Sequence, residues 1–294
     1  MNLEKLAHIF IFLWLFCQML QIGLSVTPNQ VWESTRQAKV LSKGIAVNFF
    51  MVPLVGFGLL LLFKPDPLLS VGFLIAICFS GAPMGPPFTG LARGGLPFAI
   101  GLMVILAALT PLISPAVLTL LMGFLPERVG IGIGYIKIIK TILVGQFLPL
   151  AAGLALNGLT SSFAPRALAP VRMTTNIFML VACVLVIVSE YKSLGLFGVK
   201  AVIGIITLFV SSALAGWWLG GPGTDLRKAV TLNTTIRNVP VAMVIVSGNF
   251  AGTPAVAATF VYSLFSTLGT MFLALLLRNF SPKPSGKPEM PAAG

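Results

Sequence analysis

Ser80-Gly81-Ala82-Pro83-Met84-Gly85-Pro86-Pro87 decides how this chain folds. The stretch sits inside an otherwise apolar run at 67–92. A bilayer core of about 30 Å takes roughly 20 residues of helix, so that run is long enough to cross. Three prolines and two glycines in eight residues cannot continue an α-helix. Proline removes an amide donor, and its ring clashes with the preceding turn. At membrane depth every carbonyl freed by the break needs a partner, so the segment must face protein or a water-filled cavity. A second interruption, Asn233-Thr234-Thr235-Ile236-Arg237-Asn238-Val239-Pro240, lies midway through the run 227–248.

Working outward, the same template predicts nine spans, near 7–26, 38–63, 67–92, 96–124, 130–156, 167–189, 194–219, 227–248 and 254–278. The first break lies in the third of four spans of the front half (1–124). The second lies in the fourth of five in the back half (130–278). Both are second to last. Interrupted helices in corresponding positions mark inverted-repeat transporters, whose half-helix ends meet near the midplane and form the binding site. The plainer reading is two proline kinks, as Pro53, Pro111, Pro115 and Pro149 are read. The expected fold is an all-α membrane protein of nine transmembrane helices, an inverted repeat with two broken crossing helices. It forms one polytopic domain, 1–278, followed by a disordered cytoplasmic tail, 279–294, rich in Pro, Gly and Lys.

Composition agrees. The chain has 294 residues, 57% hydrophobic and 9% charged, against about 25% charged in a soluble domain. That excludes a soluble enzyme, a disordered chain and a nucleic-acid-binding module, even with a net charge of +12. The basic excess reads as loops meeting anionic lipid. Arg36, Lys39, Lys43, Arg93, Arg166, Arg172, Arg227, Lys228, Arg278, Lys283 and Lys287 gather on one side. The expected placement is an integral protein of a bacterial inner (plasma) membrane, N-terminus outside and C-terminus in the cytoplasm. The first span reads as a retained helix, being longer than a signal-peptide core and carrying Glu4 at its head. The seven acids, Glu4, Glu33, Asp66, Glu127, Glu190, Asp225 and Glu289, all fall outside the predicted spans. Cys17, Cys78 and Cys183 read as packing residues, and His8 as a stray interfacial side chain rather than a proton relay. No acid–base pair, metal set or activated nucleophile is clustered within the spans. No enzyme activity, cofactor, metal or obligate protein partner is therefore expected.

Four motifs carry a family resemblance. Gly23-Leu24-Ser25 followed by Thr27-Pro28 resembles the end of the first span in nine-span bile acid:sodium symporter proteins. Thr89-Gly90-Leu91-Ala92-Arg93-Gly94 resembles the element after that family's first broken helix. Thr110-Pro111-Leu112-Ile113-Ser114-Pro115 resembles its S-P-L-L-T-P element, and Arg237-Asn238 its [QR]-N in the second broken helix. The resemblance implies a panel domain and a core domain moving by alternating access, with spans 1–4 paired to spans 6–9 and span 5 unpaired. It also implies two sodium ions behind the crossover. Here their serine–asparagine ligands fall on Gly85 and Pro86, and the hydroxyls of the next span fall near the apolar Leu106–Leu109. The glutamate that opens the second broken helix falls on Asn233. The glutamines of the second sodium site and of the preceding long span fall on Arg237 and Asn48.

The ion-site-like set is then Asn48, Asn233, Thr234, Ile236 and Arg237, and the expected substrate-binding set is Gly85, Pro86, Pro87, Asn233, Thr234, Arg237 and Asn238. Sodium normally needs oxygen ligands with a carboxylate among them, and a proton relay needs a membrane acid or histidine. Neither is placed for it, although backbone carbonyls at the breaks could still hold a sodium ion. Arg237 costs about 2.5–3.5 kcal/mol to insert at mid-helix, so it must find partners. It is read as a tethered cation on the ion site bound to Asn48, as a contact to an anionic substrate, or as a structural carbonyl cap. Gln146, Thr175 and Asn176 line the path or pack between helices. Lys137 and Lys140 form an anion-attracting vestibule or snorkel, and Trp217-Trp218 anchors the interface.

The leading expectation is a secondary transporter of small organic anions, a facilitator or exchanger without sodium coupling. Alternatives are a sodium-coupled organic anion symporter using backbone carbonyls, a channel on the same scaffold, and a non-transporting membrane partner or sensor.

Overall fold

The computed structural model describes residues 2–125, 134–159 and 163–280, and those residues are helical with no strand. The helices are α1 (Leu3–Ser25), α2 (Pro28–Thr35), α3 (Ala38–Phe63), α4 (Pro67–Cys78), α5 (Gly85–Leu91) and α6 (Leu96–Gly123). They continue with α7 (Tyr135–Leu159), α8 (Phe163–Glu190), α9 (Val199–Leu219), α10 (Thr224–Thr235), α11 (Val239–Asn249) and α12 (Pro254–Arg278). Residues 130–133 of the predicted fifth span, and the tail from 281 onward, lie outside the described residues.

Eight spans are long and apolar enough to cross a membrane, with α10 and α11 taken as one. The count differs from the predicted nine at 67–92, where the proline-rich break leaves two short helices, α4 and α5. Helix α2 is an addition. Thr27 Oγ1 accepts from Gln30 N, Gln30 Oε1 accepts from Thr27 N at 3.0 Å, and Pro28 occupies the first turn. This capping box was present in the sequence.

Helices α1, α8 and α10 run further than their predicted spans, and their end turns take in Glu4, Glu190 and Asp225. These acids therefore lie on spanning helices, at the termini. Glu4 and Asp225 occupy first turns, where the positive end of the helix dipole favours them.

Helices α1, α7 and α8 pack together as one group. Helices α3–α6 and α9–α12 form the other, which contains both breaks. The groups meet where α7 packs on α6, and where α1 and α7 reach the end of α11. His8 Nδ1 pairs with Ser247 Oγ at 2.8 Å, and Lys137 Nζ donates to Gly248 O at 3.4 Å and Asn249 Oδ1 at 3.3 Å. His8 is thus a bridging group and not a stray one. Its position on the inner side of α1 gives it a hydroxyl partner.

Burial separates the second broken span from its neighbours. In its membrane-length window 94% of residues are buried, against 17% for α8. A span so polar is stable only inside protein.

Candidate functional site: the crossing of two broken helices

The first break leaves the carbonyls of residues 78–82 without helical donors, and each finds another. Ser114 Oγ donates to Cys78 O at 2.7 Å, and Asn238 N donates to Phe79 O at 3.0 Å. Thr110 Oγ1 donates to Ser80 O at 3.2 Å, Asn238 Nδ2 to Gly81 O at 3.2 Å, and Gly85 N to Ala82 O at 3.1 Å. Gly81 sits at φ +77°, and a Cβ there would lie 2.5 Å from Ala107 N. Only glycine allows that turn so close to α6.

The second break is closed by a cation. Arg237 is 1% exposed. Its Nη1 donates to Asn48 O at 3.2 Å and Asn48 Oδ1 at 3.4 Å, and its Nη2 donates to Thr234 O at 3.0 Å. The Tyr262 hydroxyl lies beside the guanidinium. No carboxylate pairs with Arg237 among the described residues. Asn48 Nδ2 in turn donates to Thr234 Oγ1 at 3.2 Å, and Ser266 Oγ donates to Thr235 O at 2.7 Å.

Two π turns bring amides to this place. Asn48 lies in the π turn Val47–Met51 of α3, ahead of Pro53, and Gln146 lies in the π turn Leu143–Phe147 of α7, ahead of Pro149. π turns recur at functional sites because they re-aim side chains and free carbonyls. Gln146 Nε2 donates to Ala107 O, the carbonyl that Pro111 leaves without a helical donor. Its Oε1 accepts from Asn238 Nδ2 at 3.3 Å.

The predicted residues are brought together, mostly facing protein. Gly85 touches Asn233: a Cβ at Gly85 would lie 2.3 Å from Asn233 Oδ1. Gly85, Pro86, Asn233, Thr234, Ile236, Arg237 and Asn238 are all buried, and Pro87 is exposed beside Met84. Ile236 packs in an apolar cluster with Ala82, Phe88 and Leu232. Ser80 Oγ, Asn233 Oδ1 and Asn238 Oδ1 are buried without a hydrogen-bond partner. Of the path candidates, Gln146 is at the crossing. Thr175 bonds back to Val171 O, and Asn176 is exposed on α8.

Sequence reasoning missed Thr110, Ser114, Ser266 and Lys228. Lys228 was placed among the loop bases, yet it is buried and its Nζ donates to Ala92 O at 2.9 Å, closing the end of α5. The signal for the hydroxyls was their spacing. Thr110 and Ser114 lie one turn apart on the helix after the first break, and Ser266 and Thr270 one turn apart on the helix after the second.

The model of the Sodium Bile acid symporter family matches residues 12–196. The chain belongs to that family. Its four motifs now have structural roles: Thr27 and Pro28 start α2, Thr89 and Ala92 close α5, Thr110 and Ser114 serve the first break, and Arg237 and Asn238 form the second. The chain is 27% identical over 148 residues to a protein described as an uncharacterized sodium-dependent transporter, YocS, of Bacillus subtilis. That match covers 50% of this chain and 44% of the relative. It is 22% identical over 203 residues to a probable chloroplastic sodium/metabolite cotransporter, BASS3, of Oryza sativa subsp. japonica, covering 68% of this chain and 47% of the relative. The matched stretches thus span less than half the length of either relative. Both relatives are described as transporters, and this chain has the membrane-length apolar helices of a multi-pass membrane protein.

Proposed function

We propose that this protein is a secondary carrier of small organic anions, working by alternating access at the crossing of α4–α5 with α10–α11, without sodium. The observation that carries this reading is the Arg237 guanidinium seated among Asn48 O, Asn48 Oδ1 and Thr234 O. A cluster of oxygens at the end of a broken helix is where a hard cation would sit. Here a covalently attached cation takes that place, and it ties α10 to α3 as a bound ion would. It leaves no gradient to harvest.

The preference for anions follows from charge. Among the described residues no carboxylate lies beside Arg237, and the N-terminus of α11 adds a positive helix end at Asn238. The potential at the crossing is therefore positive in a low-dielectric setting. When the crossing opens, Ser80, Asn233 and Asn238 present unpaired polar atoms to a solute. The alternative in which backbone carbonyls hold sodium is less favoured, since those of residues 78–82 already accept from protein donors. On this reading the N-terminus lies outside a bacterial plasma membrane and the C-terminus in the cytoplasm.

The test is uptake of a panel of small organic acids into proteoliposomes, with sodium or choline outside. Equal uptake in both is expected from the wild type. Arg237→Gln, which vacates the cage and keeps a neutral side chain, should lose uptake in choline and regain part of it in sodium. Sodium-dependent wild-type uptake would overturn the sodium-free reading. Failure to move any acid while the protein stays folded would favour a membrane partner or sensor.

A further inference from the structure

A cavity of about 520 Å³ opens where α3 ends and α4, α9 and α12 begin. It shares no lining residue with the crossing, and its volume falls in the range of ligand pockets. Its walls are apolar: Phe63 from α3, Phe73 from α4, Phe197 just before α9, and Ile205 within α9. From Val199 to Ile205 the wall descends about 9 Å below the helix end, at 1.5 Å per residue. Val199, which lines the cavity, is 76% exposed, so the apolar wall reaches the outer surface of a spanning helix.

The rim is basic. Lys64 and Lys200 line it together with Asp66. The Asp66 carboxylate is already committed, accepting from Leu68 N at 2.9 Å and Leu69 N at 3.4 Å to cap α4. Lys64 closes α3 in the left-handed conformation, φ 46°, where glycine is favoured. Apolar walls beneath two ammonium groups fit an amphipathic anion. The side opening onto lipid selects the bilayer as its source.

We propose that this cavity holds an acyl chain of an anionic phospholipid, with the phosphate at Lys64 and Lys200. The lipid would fill the space between front-half helices α3 and α4 and back-half helices α9 and α12. The inference stands apart from the transport reading, because its test is a binding measurement.

Purified protein is incubated with equimolar dioleoyl-phosphatidylglycerol and dioleoyl-phosphatidylcholine and examined by native mass spectrometry. Preferential retention of phosphatidylglycerol is expected. The double variant Lys64→Gln/Lys200→Gln should lower that preference by about thirtyfold, from the loss of two basic contacts near the headgroup. Ala201→Trp, which fills the mouth, should reduce retention of both lipids. Equal retention of the two lipids by the wild type, or unchanged preference in the double variant, would overturn the headgroup assignment. Undiminished retention in Ala201→Trp would overturn the chain's placement, and displacement by an equimolar amount of oleate would overturn the phospholipid as occupant.

Discussion

At the first break five successive carbonyls, 78–82, accept from neutral donors: two hydroxyls of α6, the side chain and amide of Asn238, and the amide of Gly85. At the second break a guanidinium binds Thr234 and reaches across to Asn48, while Ser266 takes Thr235. The hydroxyl arrangement is repeated. Thr110 and Ser114 serve the first break, and Ser266 and Thr270 serve the second, with Thr270 Oγ1 donating to Thr235 Oγ1 at 3.1 Å. In each half the following helix supplies a pair one turn apart. What differs is the charge. Two broken helices can keep the same backbone accounting and still place a fixed cation at only one of them, which makes the second break the electrostatically active one.

The sharpest way to break the comparison is to cut the residue both halves share. Asn238→Leu leaves Gly81 O and Gln146 Oε1 without that donor, and should lower stability by about 3 kcal/mol, the sum for two buried groups left unpaired. Chemical unfolding in detergent measures it; a loss below about 1 kcal/mol would mean the breaks are not joined through Asn238. Next comes Arg237→Lys. An ammonium keeps the charge but loses the planar fork, so it cannot bind Asn48 and Thr234 together, and about 2 kcal/mol should be lost. Equal stability of the lysine variant would show that charge alone matters at the second break.

The repeat itself is tested by Thr110→Val and Ser266→Ala. Each removes one neutral donor from one break, and each should cost about 1 kcal/mol. Similar losses support equivalent roles in the two halves, and a large asymmetry would break the parallel. The smallest effect is a coupling. Gln146→Leu strands Ala107 O because Pro111 has no amide hydrogen. In a Pro111→Ala background that hydrogen is restored, so the cost of Gln146→Leu should fall by about 0.5–1 kcal/mol in a double-mutant cycle. No coupling would mean that Gln146 acts only through Asn238.

Much of this was legible. The two breaks were readable because proline and glycine forbid a continuous helix wherever the chain goes. Three readings of Arg237 were left open, and its contacts with Asn48 O, Asn48 Oδ1 and Thr234 O are anticipated equally by the tethered cation and by the carbonyl cap. Its burial leaves direct substrate contact unsupported in this conformation. Thr110, Ser114 and Ser266 were not legible as crossing residues. A hydroxyl in a membrane helix can always bond back to its own preceding turn, as Thr110 also does to Leu106 O at 2.8 Å, so its longer partner is invisible in sequence. Lys228 was misplaced because a base near a helix start resembles a loop base until a neighbouring helix end arrives to accept from it.

The sequence by itself determined a membrane-embedded helical chain, the positions of its two interruptions and the presence of one mid-span cation, since these follow from hydropathy, proline chemistry and the cost of burying charge. Only the tertiary structure decided which donors satisfy the broken backbone, that π turns in α3 and α7 deliver Asn48 and Gln146, and that Arg237 turns toward protein oxygens. The reason is physical: the need for a partner is a local property of the chain, whereas the identity of the partner depends on helices far apart in sequence packing within hydrogen-bond reach.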